Sequence, residues 1–152
     1  MQKFAEMIND MLVSVYHKVL RVEEEFLQTG IGAGLSIREM HLIEYVGKSG
    51  TEGRTISETA DFLDVARPSV TVSVGKLEKK GLLIKNGCAT DGRVVRVTLT
   101  RQGRKVYIHH MRFHMLMVRE LESELNDEEK NVLLKVITKL DDFFEKSFEA
   151  VA

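Results

Sequence analysis

A chain of 152 residues is long enough for one domain with a proper core, or for two small lobes that share one. Its composition, 43% hydrophobic and 30% charged, is that of an ordinary soluble protein, and its apolar runs are too short to span a membrane. The net charge is only −1, no apolar segment at the N-terminus suggests a signal peptide, and a single cysteine, Cys88, excludes an internal disulfide and suits a reducing cytoplasm.

The elements follow from periodicity and caps. Phe4, Met7, Ile8, Met11, Leu12, Val15, Val19, Val22 and Phe26 recur in steps of three and four, which marks one stripe on a long first helix. Gly30, Gly32 and Gly34 end it. Ser36-Ile37-Arg38-Glu39 is a capping box and opens a second helix through Met40, Ile43, Tyr45 and Val46. After a loop from Lys48 to Gly53, Thr55-Ile56-Ser57-Glu58 opens a short third helix that runs to about Leu63. A tight turn, Asp64-Val65-Ala66, leads to a fourth helix with Pro68 in its first turn, Val70, Val74 and Leu77 on its inner face, and Gly81 just past its end. Leu82–Lys85 and Val94–Leu99 are β-rich and flank a polar tip, Asn86–Arg93, as a hairpin with a longer loop. A long helix starts after Thr100 and runs to about Leu125. Asn126-Asp127-Glu128-Glu129 caps a last helix bearing Val132, Leu133, Val136, Ile137, Leu140, Phe143, Phe144 and Phe148.

The predicted fold is therefore mainly α with a small β-hairpin wing. A winged helix-turn-helix occupies residues 35–99, and long terminal helices occupy 1–34 and 100–152. The terminal stripes are too large for so small a middle, and packing them on one another in a homodimer is the simplest solution.

The near-zero charge hides a sorted distribution. Between Arg67 and Lys105 lie ten basic residues (Arg67, Lys76, Lys79, Lys80, Lys85, Arg93, Arg96, Arg101, Arg104, Lys105) and two acidic ones (Glu78, Asp91), a net +8. The rest of the chain has 12 basic and 21 acidic residues, a net −9. A basic segment between acidic helices is an electrostatic footprint for a polyanion, although a solvated basic face has the same pattern.

This order of elements and four motifs together resemble the MarR family of bacterial winged helix-turn-helix regulators. The motifs are Ala66-Arg67-Pro68-Ser69-Val70-Thr71, Leu77-Glu78-Lys79-Lys80-Gly81-Leu82, Asp91-Gly92-Arg93 and Leu99-Thr100-Arg101-Gln102-Gly103. Lys85 stands where the family more often has Arg. The resemblance implies a recognition helix in the major groove of double-stranded DNA. A helix of about 13 residues is about 20 Å long and fits that groove. Arg67, Ser69, Thr71 and Val72 then lie on or near its outer face, with Lys76 further along toward phosphate. Val72 can touch a thymine methyl but makes no bidentate contact, so fewer direct hydrogen bonds to bases are expected. Gly75 costs helix stability by roughly 1 kcal/mol; it either permits close backbone approach or is neutral drift. In the wing, Arg93 resembles the family's minor-groove arginine and Asp91 the residue that orients it; a local Asp–Arg pair is the plainer alternative.

His110 and His114 are spaced i, i+4 on the fifth helix, which suits a divalent metal. In some zinc-responsive members of the family, ligands come from a late first-helix Glu, a second-helix His and such a His pair. That resemblance implies a Zn site of Glu23, His41, His110 and His114, with Glu24 a near alternative to Glu23. The same segments also resemble the family's fatty-acid-synthesis regulators, which implies an acyl-carrier effector. A small molecule is the third effector class. The competing reading is that these histidines are core or interface residues satisfied by hydrogen bonds. Cys88, in the wing, reads as an incidental thiol.

Three functions compete. The first is a cytoplasmic, dimeric transcriptional regulator, a repressor that binds a palindromic operator under effector control. The second is a metal-dependent enzyme built on the His/Glu cluster; no nucleophile elbow, P-loop or dinucleotide fingerprint is present. The third is a helical adaptor without DNA binding, which Arg93 and the +8 segment oppose. Steeply salt-dependent DNA binding separates the first from the others.

Overall fold

The computed structural model describes residues 2–87 and 95–149. Among the described residues the order is α1 (Gln2–Thr29), α2 (Ile37–Lys48), β1 (Arg54–Thr55), α3 (Ile56–Leu63), α4 (Arg67–Lys79), β2 (Leu83–Gly87), β3 (Val95–Leu99), α5 (Arg101–Ser123) and α6 (Asp127–Glu149). This is the mainly helical, winged architecture that the sequence predicts. The strands form one antiparallel sheet in the order β1-β3-β2, with Leu83 opposite Leu99, Lys85 opposite Val97, and Arg54 also opposite Val97. The two-residue strand β1 is not foreseen by sequence, because two residues carry no periodicity; it exists only through pairing with β3. The hairpin tip, with Cys88, Asp91 and Arg93, lies outside the described residues.

The caps form as their side chains dictate. The Ser36 hydroxyl accepts from the Glu39 N–H at 3.2 Å, while the Ser36 N–H donates to the Glu39 carboxylate at 3.0 Å. Thr55 and Glu58 repeat this at α3, with Thr55 N–H to the Glu58 carboxylate at 2.7 Å. That backbone hydrogen bond, followed by the one with the Thr55 hydroxyl, holds the Glu58 carboxyl below the ordinary value of 4.5. Asp64 ends α3 in the left-handed region at φ 49°.

Two of the motifs acquire a physical reason. In Leu77-Glu78-Lys79-Lys80-Gly81-Leu82, Gly81 sits at φ 70°, its N–H donates to Glu78 O at 2.9 Å, and the Leu82 N–H donates to Leu77 O at 2.9 Å. This double closure ends α4 and turns the chain into β2. In Leu99-Thr100-Arg101-Gln102-Gly103, the Thr100 hydroxyl donates to Gly81 O at 2.7 Å and accepts from the Gly103 N–H at 2.9 Å, and the Thr100 N–H donates to Leu82 O at 3.0 Å. Any side chain at position 103 would overlap the Leu82 carbonyl. The start of α5 is thus seated on the α4–β2 junction, backbone against backbone.

The chain divides into two compact units, residues 1–111 and 112–152. The first holds a core of Met40, Leu42, Ile43 and Val46 from α2, Ala60 from α3, and Val70, Val74 and Leu77 from α4. Leu27, Leu35, Leu82, Leu83, Val97 and Val106 complete it. Burial of these apolar groups supplies most of the driving force for folding this unit. In the second, Asn126 caps α6, its side chain accepting from the Glu129 N–H at 3.0 Å, and Lys130 pairs with Glu122 at 3.6 Å.

Candidate nucleic-acid interface

Helix α4 has two faces of opposite character. Val70, Val74 and Leu77 are 1%, 0% and 0% exposed and seat the helix in the core. Arg67, Ser69, Thr71, Val72 and Lys76 are exposed, with Val72 58% accessible. The Thr71 hydroxyl donates to Arg67 O at 3.0 Å, inside the helix. Ser69 also lines a cavity of about 330 Å³ between α2 and α4, shared with Arg38, His41 and Ser73. Around Gly75 the surface is open, and an added Cβ would meet only Lys85 Nζ, at 4.0 Å.

The basic segment is less uniform than its count suggests. Lys85 pairs with Glu78 at 2.9 Å, and this ion pair and hydrogen bond hold the Glu78 carboxyl below its ordinary 4.5. Arg104 donates to Gly50 O at 3.1 Å and to Gly47 O at 3.4 Å, which ties α5 to the end of α2. Arg96 donates to Gly53 O at 3.3 Å. Lys80 is held by Glu39. These four side chains are engaged in holding the fold, although Lys80, Lys85 and Arg96 are exposed, as are Arg67, Lys76, Lys79, Arg101 and Lys105. Arg93 and Asp91 fall outside the described residues.

The histidine–carboxylate set is partly assembled within the first unit. Glu23, 3% exposed, turns inward from α1, while Glu24 faces solvent. His110, 1% exposed, brings its Nε2 to 2.8 Å from Glu23 Oε1. His41 Nε2 lies 3.3 Å from the same oxygen. On its other side His110 Nδ1 is 3.7 Å from Glu44, which pairs with Lys48 at 2.6 Å. His114 follows His110 by four residues on α5 and so shares its helical face. Glu44 and His109 belong to these surroundings without a sequence signal; the His109 ring stacks on Phe26 at 4.6 Å. Their neighbours come from other helices, which no local pattern reveals.

The chain is similar to known proteins. Residues 33–94 match the model of the MarR family. The chain is 27% identical over 107 residues to the HTH-type transcriptional regulator MhqR of Bacillus subtilis, covering 70% of this chain and 72% of MhqR. It is 23% identical over 103 residues to the HTH-type transcriptional repressor MdtR of the same organism, covering 68% of this chain and 65% of MdtR's length. Among solved structures, Streptococcus pneumoniae FabT in complex with DNA superposes with a TM-score of 0.89 at 35% identity, over 93% of this chain and 97% of FabT. The Staphylococcus aureus MepR–DNA complex, at 22% identity and a TM-score of 0.73 over 88% of this chain and 96% of MepR, shares the fold.

Proposed function

The chain belongs to the MarR family of transcriptional regulators, and from that premise we propose that it is a dimeric repressor that reads a palindromic operator through α4 and the wing. The observation that carries this reading is the exposed face of α4, with Arg67, Ser69, Thr71, Val72 and Lys76 outward and Val70, Val74 and Leu77 locked into the core. The DNA-bound state of FabT, at 35% identity, supports it. In this reading Val72 packs on a thymine methyl, Arg67 and Thr71 meet base edges or phosphate, Lys76 meets phosphate, and Arg93, supported by Asp91, enters the minor groove. No helix among the described residues is long and apolar enough to cross a membrane. A regulator of this kind, rather than an enzyme, is the reading.

Dimerisation is supported by apolar side chains left exposed in each unit. Phe4, Met7, Met11 and Val15 of α1 are exposed, as are Val132, Val136, Ile137, Phe143 and Phe144 of α6. Such stripes call for a partner surface, and a second copy supplies one.

Selection of duplexes from a randomised pool by the untagged protein tests the reading. The expected product is an inverted repeat with half-sites about one helical turn, roughly 34 Å, apart. Binding should weaken steeply with salt, and Arg93→Ala should lose about 1–3 kcal/mol of operator affinity with the dimer intact. A selected pool without symmetry, bound no better than random DNA, would sink it.

A second reading concerns the effector. Glu23, His41 and His110 converge from α1, α2 and α5, and carboxylate and imidazole are suitable Zn²⁺ donors. With His114 they would hold one ion per subunit and tie α1 and α5 to the first helix of the reading motif. The direct Glu23–His110 bond engages two of these groups without metal, and a small molecule or acyl carrier is the competing effector class. Zinc content after equilibrium dialysis, followed by operator binding with and without chelator, decides. If the protein takes up no zinc, or if His110→Ala and His114→Ala respond to chelator as wild type does, zinc is not the effector.

A further inference from the structure

Lys80 is one of the ten basic residues that make the central segment positive, yet its ammonium is directed into the fold. It caps the C-terminus of α4, and its Nζ donates to Gly34 O at 3.0 Å and to both oxygens of Glu39 at 3.2 Å. Glu39 belongs to the first turn of α2, where its carboxylate already accepts the Ser36 N–H at 3.0 Å. One carboxylate therefore serves two helix ends, the N-terminus of α2 and the C-terminus of α4. Its side chain is 14% exposed and that of Lys80 40%. Both ends suit the charges they receive, since a carboxylate favours a helix N-terminus and an ammonium a C-terminus.

Resting on the reading of α4 as the recognition helix, we propose that Lys80 and Glu39 form a latch that sets the pose of α4 against the segment joining α1 to α2, so that Lys80 acts on operator binding as a positioning residue rather than as a phosphate contact. The core contacts of Val70, Val74 and Leu77 line a single face and hold α4 against the unit, but they are apolar and non-directional. Of the directional contacts at its C-terminal end, the Glu78–Lys85 pair and the closure through Gly81, Leu82 and Thr100 join α4 to the strand and helix that follow it, whereas those of Lys80 reach back to a carbonyl and a carboxylate 46 and 41 residues earlier in the chain. Gly34 O lies in the link that follows α1, so a shift of that link moves the anchor of α4.

The test compares wild type with Lys80→Gln, Glu39→Gln, the double variant and Lys80→Arg on the duplex that wild type selects. Gln at position 39 retains the capping contact to Ser36 and removes the charge. Each single Gln variant should bind about fivefold more weakly, the scale of one hydrogen-bonded ion pair, and the double variant no more weakly than the worse single. The slope of log affinity against log salt should not change, and Lys80→Arg should restore binding. A latch also predicts faster amide exchange at residues 76–80 in both Gln variants without DNA, a readout independent of what α4 contacts. If Lys80→Gln lowers the salt slope by about one unit while Glu39→Gln binds as wild type, Lys80 is a phosphate contact and the latch is wrong. Unchanged exchange in folded variants overturns it equally. Arg67→Ala and Lys76→Ala serve as separate controls. Wild-type affinity in both would remove α4 as the reading helix and leave the exchange result to judge the latch alone.

Discussion

Gly103 shows how a single missing Cβ holds two elements together. The start of α5 approaches the Leu82 carbonyl so closely that any side chain would overlap it. In an open helix Gly→Ala would gain up to about 1 kcal/mol. Here the neighbour is backbone, which cannot swing away, so overpacking at a cost of about 1–3 kcal/mol should win. Gly103→Ala should therefore lower the thermal midpoint, and a raised midpoint would mean that α5 docks elsewhere. Two carboxylates also carry a pH signature. Glu58, through its hydrogen bonds with Thr55, and Glu39, through Ser36 and Lys80 against the cost of burial, both ionise below 4.5. A carboxyl lowered in the folded state adds stability that is present above its unfolded value and is lost as pH falls through the native one. The urea midpoint should hold steady above about pH 5 and drop below about 4.5. Glu58→Gln, which keeps the cap without the charge, should drop less steeply; an identical acid limb would show that Glu58 does not contribute.

At the scale of elements, α4 is the informative one. Its inner face is specified by Val70, Val74 and Leu77, and its end by Gly81. Gly75 has no such role, since a Cβ placed there would meet only the flexible end of the Lys85 side chain, at 4.0 Å. Gly75→Ala should stabilise the helix by roughly 1 kcal/mol, read as a higher thermal midpoint. If the DNA backbone approaches at this point, the same variant should bind operator more weakly despite its stability. A stabler protein with wild-type affinity would mark Gly75 as neutral. The sheet teaches the opposite lesson. Residues Arg54 and Thr55 look like the run-up to a capping box, and they are that, but they also pair with β3. Only a partner from far along the chain makes them a strand.

For the molecule as a whole, the exposed apolar stripes of α1 and α6 matter most. Deletion of residues 127–152 removes Val132, Val136, Ile137, Phe143 and Phe144 together. The shortened chain should sediment as a monomer or aggregate, and should lose operator affinity because one reading head cannot span two half-sites. A soluble dimer with full affinity would place the interface elsewhere.

Sequence by itself determined the helices and the two hairpin strands, because caps, glycines and periodicity act within a few residues of one another. Ser36–Glu39, Thr55–Glu58, Asn126–Glu129 and Gly81 all form the local closures that their spacing specifies. The motifs Leu77–Leu82 and Leu99–Gly103 were legible for the same reason, as was the outward set on α4. Tertiary structure alone decided which of Glu23 and Glu24 faces inward, since adjacent positions on a helix differ by about 100° and the register of a long helix is set by what it packs against. It also decided that His41 and His110 share one Glu23 oxygen. And it sorted the basic residues: Lys80, Lys85, Arg96 and Arg104 are held by carboxylates and carbonyls within the fold, a distinction that no count of charge contains. Charge is a property of composition, but whether a charge is available to a partner depends on which distant oxygen it has already met.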